Sequence, residues 1–130
     1  MDRTVLVIED NEQNRYLVTF LLERHGLRVV SEPDGPRGID TARSLRPDII
    51  LLDIQLPAMN GYEVARELRK LPDVKDIPIV AVTSYAMAGD REAAMDAGCS
   101  GYIEKPIDPD TFVEEVSAFL PDAGHEKARS

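Results

Sequence analysis

The chain is predicted to fold as an open parallel α/β sheet with helices on both faces. Three observations predict it. Short apolar runs, Val5-Leu6-Val7-Ile8, Ile49-Ile50-Leu51-Leu52 and Ile79-Val80-Ala81-Val82, recur without polar alternation, as strands buried on both faces do. Between them lie stretches with apolar residues at helical spacing, so that strand and helix alternate five times. The best of these runs end on carboxylates or hydroxyls: Glu9-Asp10, Asp53, and Thr83-Ser84. Ligands of open α/β sheets bind outside the carboxyl ends of the strands.

The elements follow in order. Val5 to Ile8 is the first strand. A helix follows from about Glu12 to His25, with Leu17, Phe20 and Leu21 as its stripe, widened by Val18 and Leu22. Arg24 and His25 suit its negative end and Gly26 stops it. Arg28 to Ser31 is the second strand. Glu32 to Gly38 carries two prolines' worth of interruption with two glycines and reads as a loop, entering a helix whose face is Ile39, Ala42 and Leu45. Arg46-Pro47 ends that helix, because the residue before proline is pushed out of αR.

The third strand, Ile49 to Leu52, delivers Asp53. Pro57 to Gly61 is a turn, and a helix runs from about Tyr62 to Lys70 on Tyr62, Val64, Ala65 and Leu68. Ile77 to Val82 is the fourth strand, with Pro78 at its start, where a missing donor is tolerated. An Ala-rich helix from about Gly89 to Ala97, stopped by Gly98, offers the weakest packing. Gly101 to Ile103 is the fifth strand, leading to Glu104-Lys105-Pro106. The last helix is expected to open at Asp108-Pro109, a cap followed by proline at the first helical position. Phe112, Val113, Val116, Phe119 and Leu120 line one face, Pro121 closes it, and residues 122–130 read as a polar tail. Right-handed crossovers, and the absence of a glycine fingerprint after the first strand, favour the flavodoxin-like order 2-1-3-4-5 over a dinucleotide-binding half.

Size and charge bound the function. At 130 residues the chain makes one domain. Its 24 acidic and 15 basic side chains give a formal net charge of −9, which argues against a nucleic-acid-binding face and suits a divalent cation or a basic partner. One cysteine, Cys99, allows no internal disulfide and agrees with a reducing, cytoplasmic setting. No apolar run approaches the roughly 18 residues of a membrane span, and the N-terminus does not read as a signal peptide.

In the order 2-1-3-4-5 the carboxyl ends of the first, third, fourth and fifth strands bring Glu9, Asp10, Asp53, Thr83 and Lys105 to one rim. Close carboxylates repel by roughly 4 kcal/mol per pair at 4 Å and an effective dielectric of about 20. A divalent cation offsets this, and an all-oxygen set suits Mg²⁺, or Mn²⁺, rather than zinc. Such a rim suits a phosphoryl group, with Asp53 as the nucleophile. Each residue also has a plainer role. Asp53 alone would be a loop carboxylate. Asp10 with Gln13 fits a capping box, Thr83 could end a strand, Lys105 could be a solvated charge, and Tyr102 an edge aromatic. Two rival readings stay open: a Mg²⁺ phosphohydrolase using an aspartyl nucleophile, and an interaction module with a dead site. The former commonly wants a second carboxylate two residues after the nucleophile, where this chain has Gln55.

Glu9-Asp10, Asp53 with Leu56-Pro57 and Asn60-Gly61, then Thr83, then Lys105-Pro106 closely resemble the receiver domain of two-component response regulators, a CheY-like fold. The resemblance covers about residues 3–120, which sets a receiver domain at 1–121. The text around Ile8-Glu9-Asp10-Asn11 and Val80-Ala81-Val82-Thr83 looks like single-domain regulators typified by DivK, and also like receivers attached to hybrid histidine kinases. The resemblance implies that Asp53 accepts a phosphoryl group from a kinase phosphohistidine. It implies that Asp10, Asp53 and the Gln55 carbonyl bind Mg²⁺, with Glu9 acting through water. It further implies that Thr83 and Lys105 close on the phosphoryl group, that Tyr102 turns inward as Thr83 moves, and that Lys105-Pro106 is a cis peptide. Gln55 and Tyr85 would tune dephosphorylation, and Met87 and Met95 would lend the fourth helix adaptability. The partners implied are a histidine kinase or histidine phosphotransfer protein, met through the first helix and the loop after the fifth strand, and a downstream protein target. The state implied is a monomer, or a weak dimer through the face of the fourth helix, fifth strand and fifth helix. With ten residues after Leu120, no DNA-binding output is expected.

Overall fold

The computed structural model describes residues 3–84 and 89–120. Tyr85, Met87, the helix-closing Pro121 and the tail expected at 122–130 lie outside the described residues. Five parallel strands, β1 (Thr4–Ile8), β2 (Arg28–Glu32), β3 (Ile49–Asp53), β4 (Ile79–Thr83) and β5 (Gly101–Glu104), pair in the order β2-β1-β3-β4-β5. Between and after them come α1 (Glu12–Glu23), α2 (Gly35–Leu45), α3 (Gly61–Lys70), α4 (Asp90–Asp96) and α5 (Phe112–Ser117). This is the expected CheY-like architecture.

The register explains why the three inner strands carry no alternation. Leu6, Ile8, Ile50, Leu52, Ile79 and Ala81 point to one face, where Ala42 of α2, Val64, Ala65 and Leu68 of α3 and Ala94 of α4 cover them. Val5, Val7, Ile49, Leu51, Val80 and Val82 point to the other, against Val18 and Leu22 of α1 and Phe112 and Val116 of α5. Side chains alternate across a strand, so a strand covered on both sides is apolar at every position. All five residues of β3 are buried, as are those of β4. Cys99 sits in the first core, and burial pushes its thiol up to about 11.

Four local expectations give way. The segment read as a loop over 32–38 already turns helical at Gly35. Pro36 occupies the first turn, where its missing N–H is no loss, Asp34 caps the helix by accepting the Arg37 N–H at 2.9 Å, and Gly38 lets the helix lie directly on Ile8. Phe20, expected in the α1 stripe, is 44% exposed and stacks on Tyr16. The stripe is centred on Val18 and Leu22, and a residue two positions from each points to the opposite side of a helix with 3.6 residues per turn. The α1 cap is Asn11, whose side chain accepts from the Asn14 N–H at 2.9 Å, so the Asp10–Gln13 capping box does not form. Finally, α5 begins at Phe112. Asp108 and Pro109 form a turn before it, in which the Asp108 carbonyl accepts from Thr111 and Phe112 at 3.1 and 2.9 Å.

Candidate functional site

The parallel sheet fixes where strand ends fall. Val5 to Ile8 pair with Ile49 to Leu52, and Ile50 to Asp53 pair with Ile79 to Val82. Glu9 therefore follows β1 beside the end of β3, Asp53 closes β3, Thr83 closes β4, and Lys105 follows β5, its N–H donating to the Thr83 carbonyl at 2.8 Å. The Lys105–Pro106 peptide bond is cis.

Oxygen atoms of Glu9, Asp10 and Asp53 all lie within 4.8 Å of one another. Lys105 Nζ stands between two of them, 3.0 Å from Glu9 Oε1 and 3.4 Å from Asp53 Oδ1. Glu9 and Asp53 are each 3% exposed and Thr83 is fully buried, while Asp10 faces solvent. Three carboxylates against one ammonium leave two negative charges in excess at this corner. Burial pushes the Glu9 carboxyl above the usual range, and its hydrogen bond to Asp53 adds to the rise, while Lys105 draws it back.

The backbone around the cluster is pinned. The Asn11 N–H donates to Glu9 Oε2 at 3.2 Å, and Arg15 reaches from α1 to donate to the Glu9 carbonyl at 2.8 Å. The Gln55 N–H donates to Asp53 Oδ1 at 3.0 Å, and the Ser84 N–H donates to Gln55 Oε1 at 3.2 Å. Gly61 opens α3 hard against β3: a Cβ there would stand 2.6 Å from both the Asp53 carbonyl and the Ile54 Cα, so only glycine allows the approach. Asn60 and Glu63 close a capping box at the same point, with bonds of 3.0 and 3.1 Å. This turn, Asn60-Gly61, holds the loop that carries Gln55.

Of the residues singled out in the sequence, Glu9, Asp10, Asp53 and Lys105 come together in one cluster, with Thr83 buried beside them. Gln55 reaches the cluster through its N–H. Tyr102 lies apart, half-buried on β5, with the Arg91 guanidinium 5.9 Å from its ring centroid. Burial, then the charges of Asp90 and Glu104, raise its phenol above the usual range. Arg15 went unnoticed in the sequence. Its only signal was its place one helical turn after Asn11, where a long side chain can reach back over the strand end.

An all-oxygen donor set of this spacing fits a hard divalent cation such as Mg²⁺, with water completing the shell. Fold and rim together define a CheY-like α/β domain with an acidic pocket at the carboxyl edge of its sheet. Residues 5–117 match the response regulator receiver domain. The chain is 42% identical over 123 residues to the polar-differentiation response regulator DivK of Brucella anthropi, covering 95% of this chain and all of that one. Among solved structures it is similar to the chemotaxis protein CheY4 of Vibrio cholerae, with a TM-score of 0.88 at 26% identity over 92% of this chain and all of the other. It is also similar to the receiver domain of the sensor histidine kinase PA1611 of Pseudomonas aeruginosa, a structure with a magnesium ion coordinated in the active-site cleft. There the TM-score is 0.85 at 32% identity, over 92% of this chain and 98% of that one. The chain belongs to the response regulator receiver domain family.

Proposed function

We propose that this domain is the phosphorylation switch of a two-component phosphorelay. Asp53 accepts a phosphoryl group from a phosphohistidine of a histidine kinase or histidine phosphotransfer protein. The observation that carries the reading is the cluster itself: three carboxylates within 4.8 Å and one lysine bridging Glu9 and Asp53.

An Asp53 carboxylate oxygen attacks phosphorus, a P–O bond forms, the P–N bond breaks, and the imidazole leaves with its electron pair and takes a proton from solvent. Mg²⁺, held by Asp10, Asp53 and the Gln55 carbonyl with Glu9 acting through water, would neutralise charge on the phosphoryl oxygens. Lys105 is already within 3.4 Å of Asp53 and supplies a second positive charge to the same oxygens. Thr83 offers a hydroxyl from the neighbouring strand. Water later cleaves the acyl phosphate and restores the carboxylate. Magnesium in the PA1611 receiver and the BeF3-activated state of the RstA receiver of Klebsiella pneumoniae, 30% identical with a TM-score of 0.84, support the metal and the phosphoryl site.

A groove of about 430 Å³ beside Lys105 is lined by Asn14, Leu17, Ser84, Pro106 and Ile107, and a partner's histidine would approach from this side, where Lys105 Nζ is 3.4 Å from Asp53 Oδ1. Output is by protein–protein contact from the face of α4, β5 and α5, where Tyr102 and Arg91 stand, and the setting is the cytoplasm. No described helix is long and apolar enough to cross a membrane. The domain is a switch that labels and delabels itself, without multiple-turnover phosphatase activity, because the position two residues after Asp53 carries the amide of Gln55 where a general acid would stand.

The test is labelling with acetyl phosphate and Mg²⁺. The wild-type chain is expected to take up one phosphoryl group, to lose it in EDTA-free buffer by hydrolysis, and to show no steady turnover of small phosphate esters. Asp53→Asn is expected to abolish labelling. Labelling that survives in Asp53→Asn overturns the assignment, and steady ester hydrolysis favours the hydrolase reading.

A further inference from the structure

Gln55 joins the phosphoacceptor to the next strand end. Its backbone N–H donates to Asp53 Oδ1 at 3.0 Å, and its side-chain carbonyl accepts the Ser84 N–H at 3.2 Å. A backbone N–H can only donate, so the amide oxygen of Gln55, not its nitrogen, must face Ser84. The β3–β4 ladder pairs Asp53 with Val82, and the Ile54 N–H reaches the Val82 carbonyl at 3.3 Å. The Gln55 side chain carries the connection one step further, onto the residue that follows Thr83.

We infer that Gln55 is a resting-state latch: its side-chain carbonyl holds the Thr83-Ser84 turn in the unphosphorylated position and lets it go on phosphorylation. The inference rests on the phosphorylation reading above. A phosphoryl group on Asp53 brings anionic acceptor oxygens to the rim, and charge-assisted hydrogen bonds outcompete a neutral amide carbonyl. One N–H makes one strong bond, so an N–H drawn to the phosphoryl group leaves Gln55. Gln55 and Ser84 are both exposed, so water replaces the lost bond and the latch biases the switch without locking it. Gln55 is then a positioning residue, acting on Thr83 through Ser84.

Gln55→Met keeps the length and the backbone carbonyl and removes the acceptor. In the full, unphosphorylated, metal-free chain, hydrogen exchange of the Ser84 amide, read by NMR, is expected to quicken about three- to tenfold in Gln55→Met. Amides within β4 are expected to stay unchanged. Gln55→Glu retains an acceptor and is expected to keep the protection. With Mg²⁺, Gln55→Met is expected to bind beryllium fluoride about three- to tenfold more tightly, since the resting state has lost a stabilising bond. Unchanged Ser84 exchange, or beryllium fluoride affinity equal to or weaker than wild type, overturns the latch. A wild-type chain that binds no beryllium fluoride sinks the switch reading itself, and that arm is run first.

Discussion

β3 has an aspartate at each end, and the two do opposite work. Asp48 precedes the strand. Its Oδ2 accepts the Thr4 N–H at 2.8 Å, and its own N–H donates to the Thr4 carbonyl at 2.8 Å, so it stitches the start of β1 to the start of β3. Asp53 closes the strand, accepts one backbone N–H, and then faces Glu9, Asp10 and Lys105. The rims around them differ in the same way. At the amino rim, Arg69 donates to the carbonyls of Gly98, Lys75 and Ile77 at 2.8, 2.7 and 2.7 Å: a cation placed where acceptors converge. At the carboxyl rim, like charges are packed with too few counter-charges. One rim is arranged for stability. The other stores repulsion that a cation and a phosphoryl group can relieve.

Substitutions at the two rims are therefore expected to differ in sign. The largest effect is expected from Arg69→Ala. It strips three carbonyls of a charged donor and is expected to cost about 2–4 kcal/mol, read as a lower urea midpoint with the slope unchanged. Phosphorylation by acetyl phosphate, normalised to folded protein, is expected to stay within about twofold of wild type. A loss of labelling in the folded variant would show that the amino rim also sets the geometry of the carboxyl rim. Asp48→Ala is the next in size. It orphans the Thr4 N–H and is expected to cost about 1 kcal/mol, again with labelling intact.

Much of this contrast was legible in the sequence, and the illegible part has a physical cause. Strand order and the cluster of Glu9, Asp10, Asp53 and Lys105 follow from apolar runs that end on charge, because parallel topology alone carries strand ends to one rim. The α2 start is hidden in the sequence because Pro36 and Gly38 count as breakers in a local window. In the fold, Pro36 sits in the first turn and Gly38 is required by Ile8, a residue thirty positions away in the chain. The outward side of Phe20 is hidden in the sequence because several neighbouring apolar residues widen the stripe, and only packing shows which side is inside. Arg69 was illegible for the same reason: on its helix it is one more basic residue near the C-terminus, and its acceptors lie across two loops. Asp10 gained meaning when Asn11 took the cap, since that removed the plainer explanation for its carboxylate.

A change no larger than that of Asp48→Ala is the sharpest test, because its sign is opposite. Burial raises the Glu9 carboxyl above its ordinary value, so between that value and the raised one the folded chain binds more protons than the unfolded chain. The contribution of Glu9 to stability is therefore full below the ordinary carboxylate range and is lost as pH rises through the raised value. At neutral pH an ionised Glu9 is a net cost to the metal-free fold, even with Lys105 beside it. Glu9→Gln removes that charge at nearly constant shape. In EDTA it is expected to stabilise the chain at pH 7 by about 1 kcal/mol, and to flatten the dependence on pH just above the ordinary carboxylate range. Mg²⁺ should reverse the ranking. The variant is expected to bind the ion about tenfold more weakly, so wild type gains more from added Mg²⁺ and catches up as the concentration rises. A Gln variant less stable than wild type in EDTA would mean that the Lys105–Glu9 pair outweighs the repulsion. The carboxyl rim would then be a structural rim like the other.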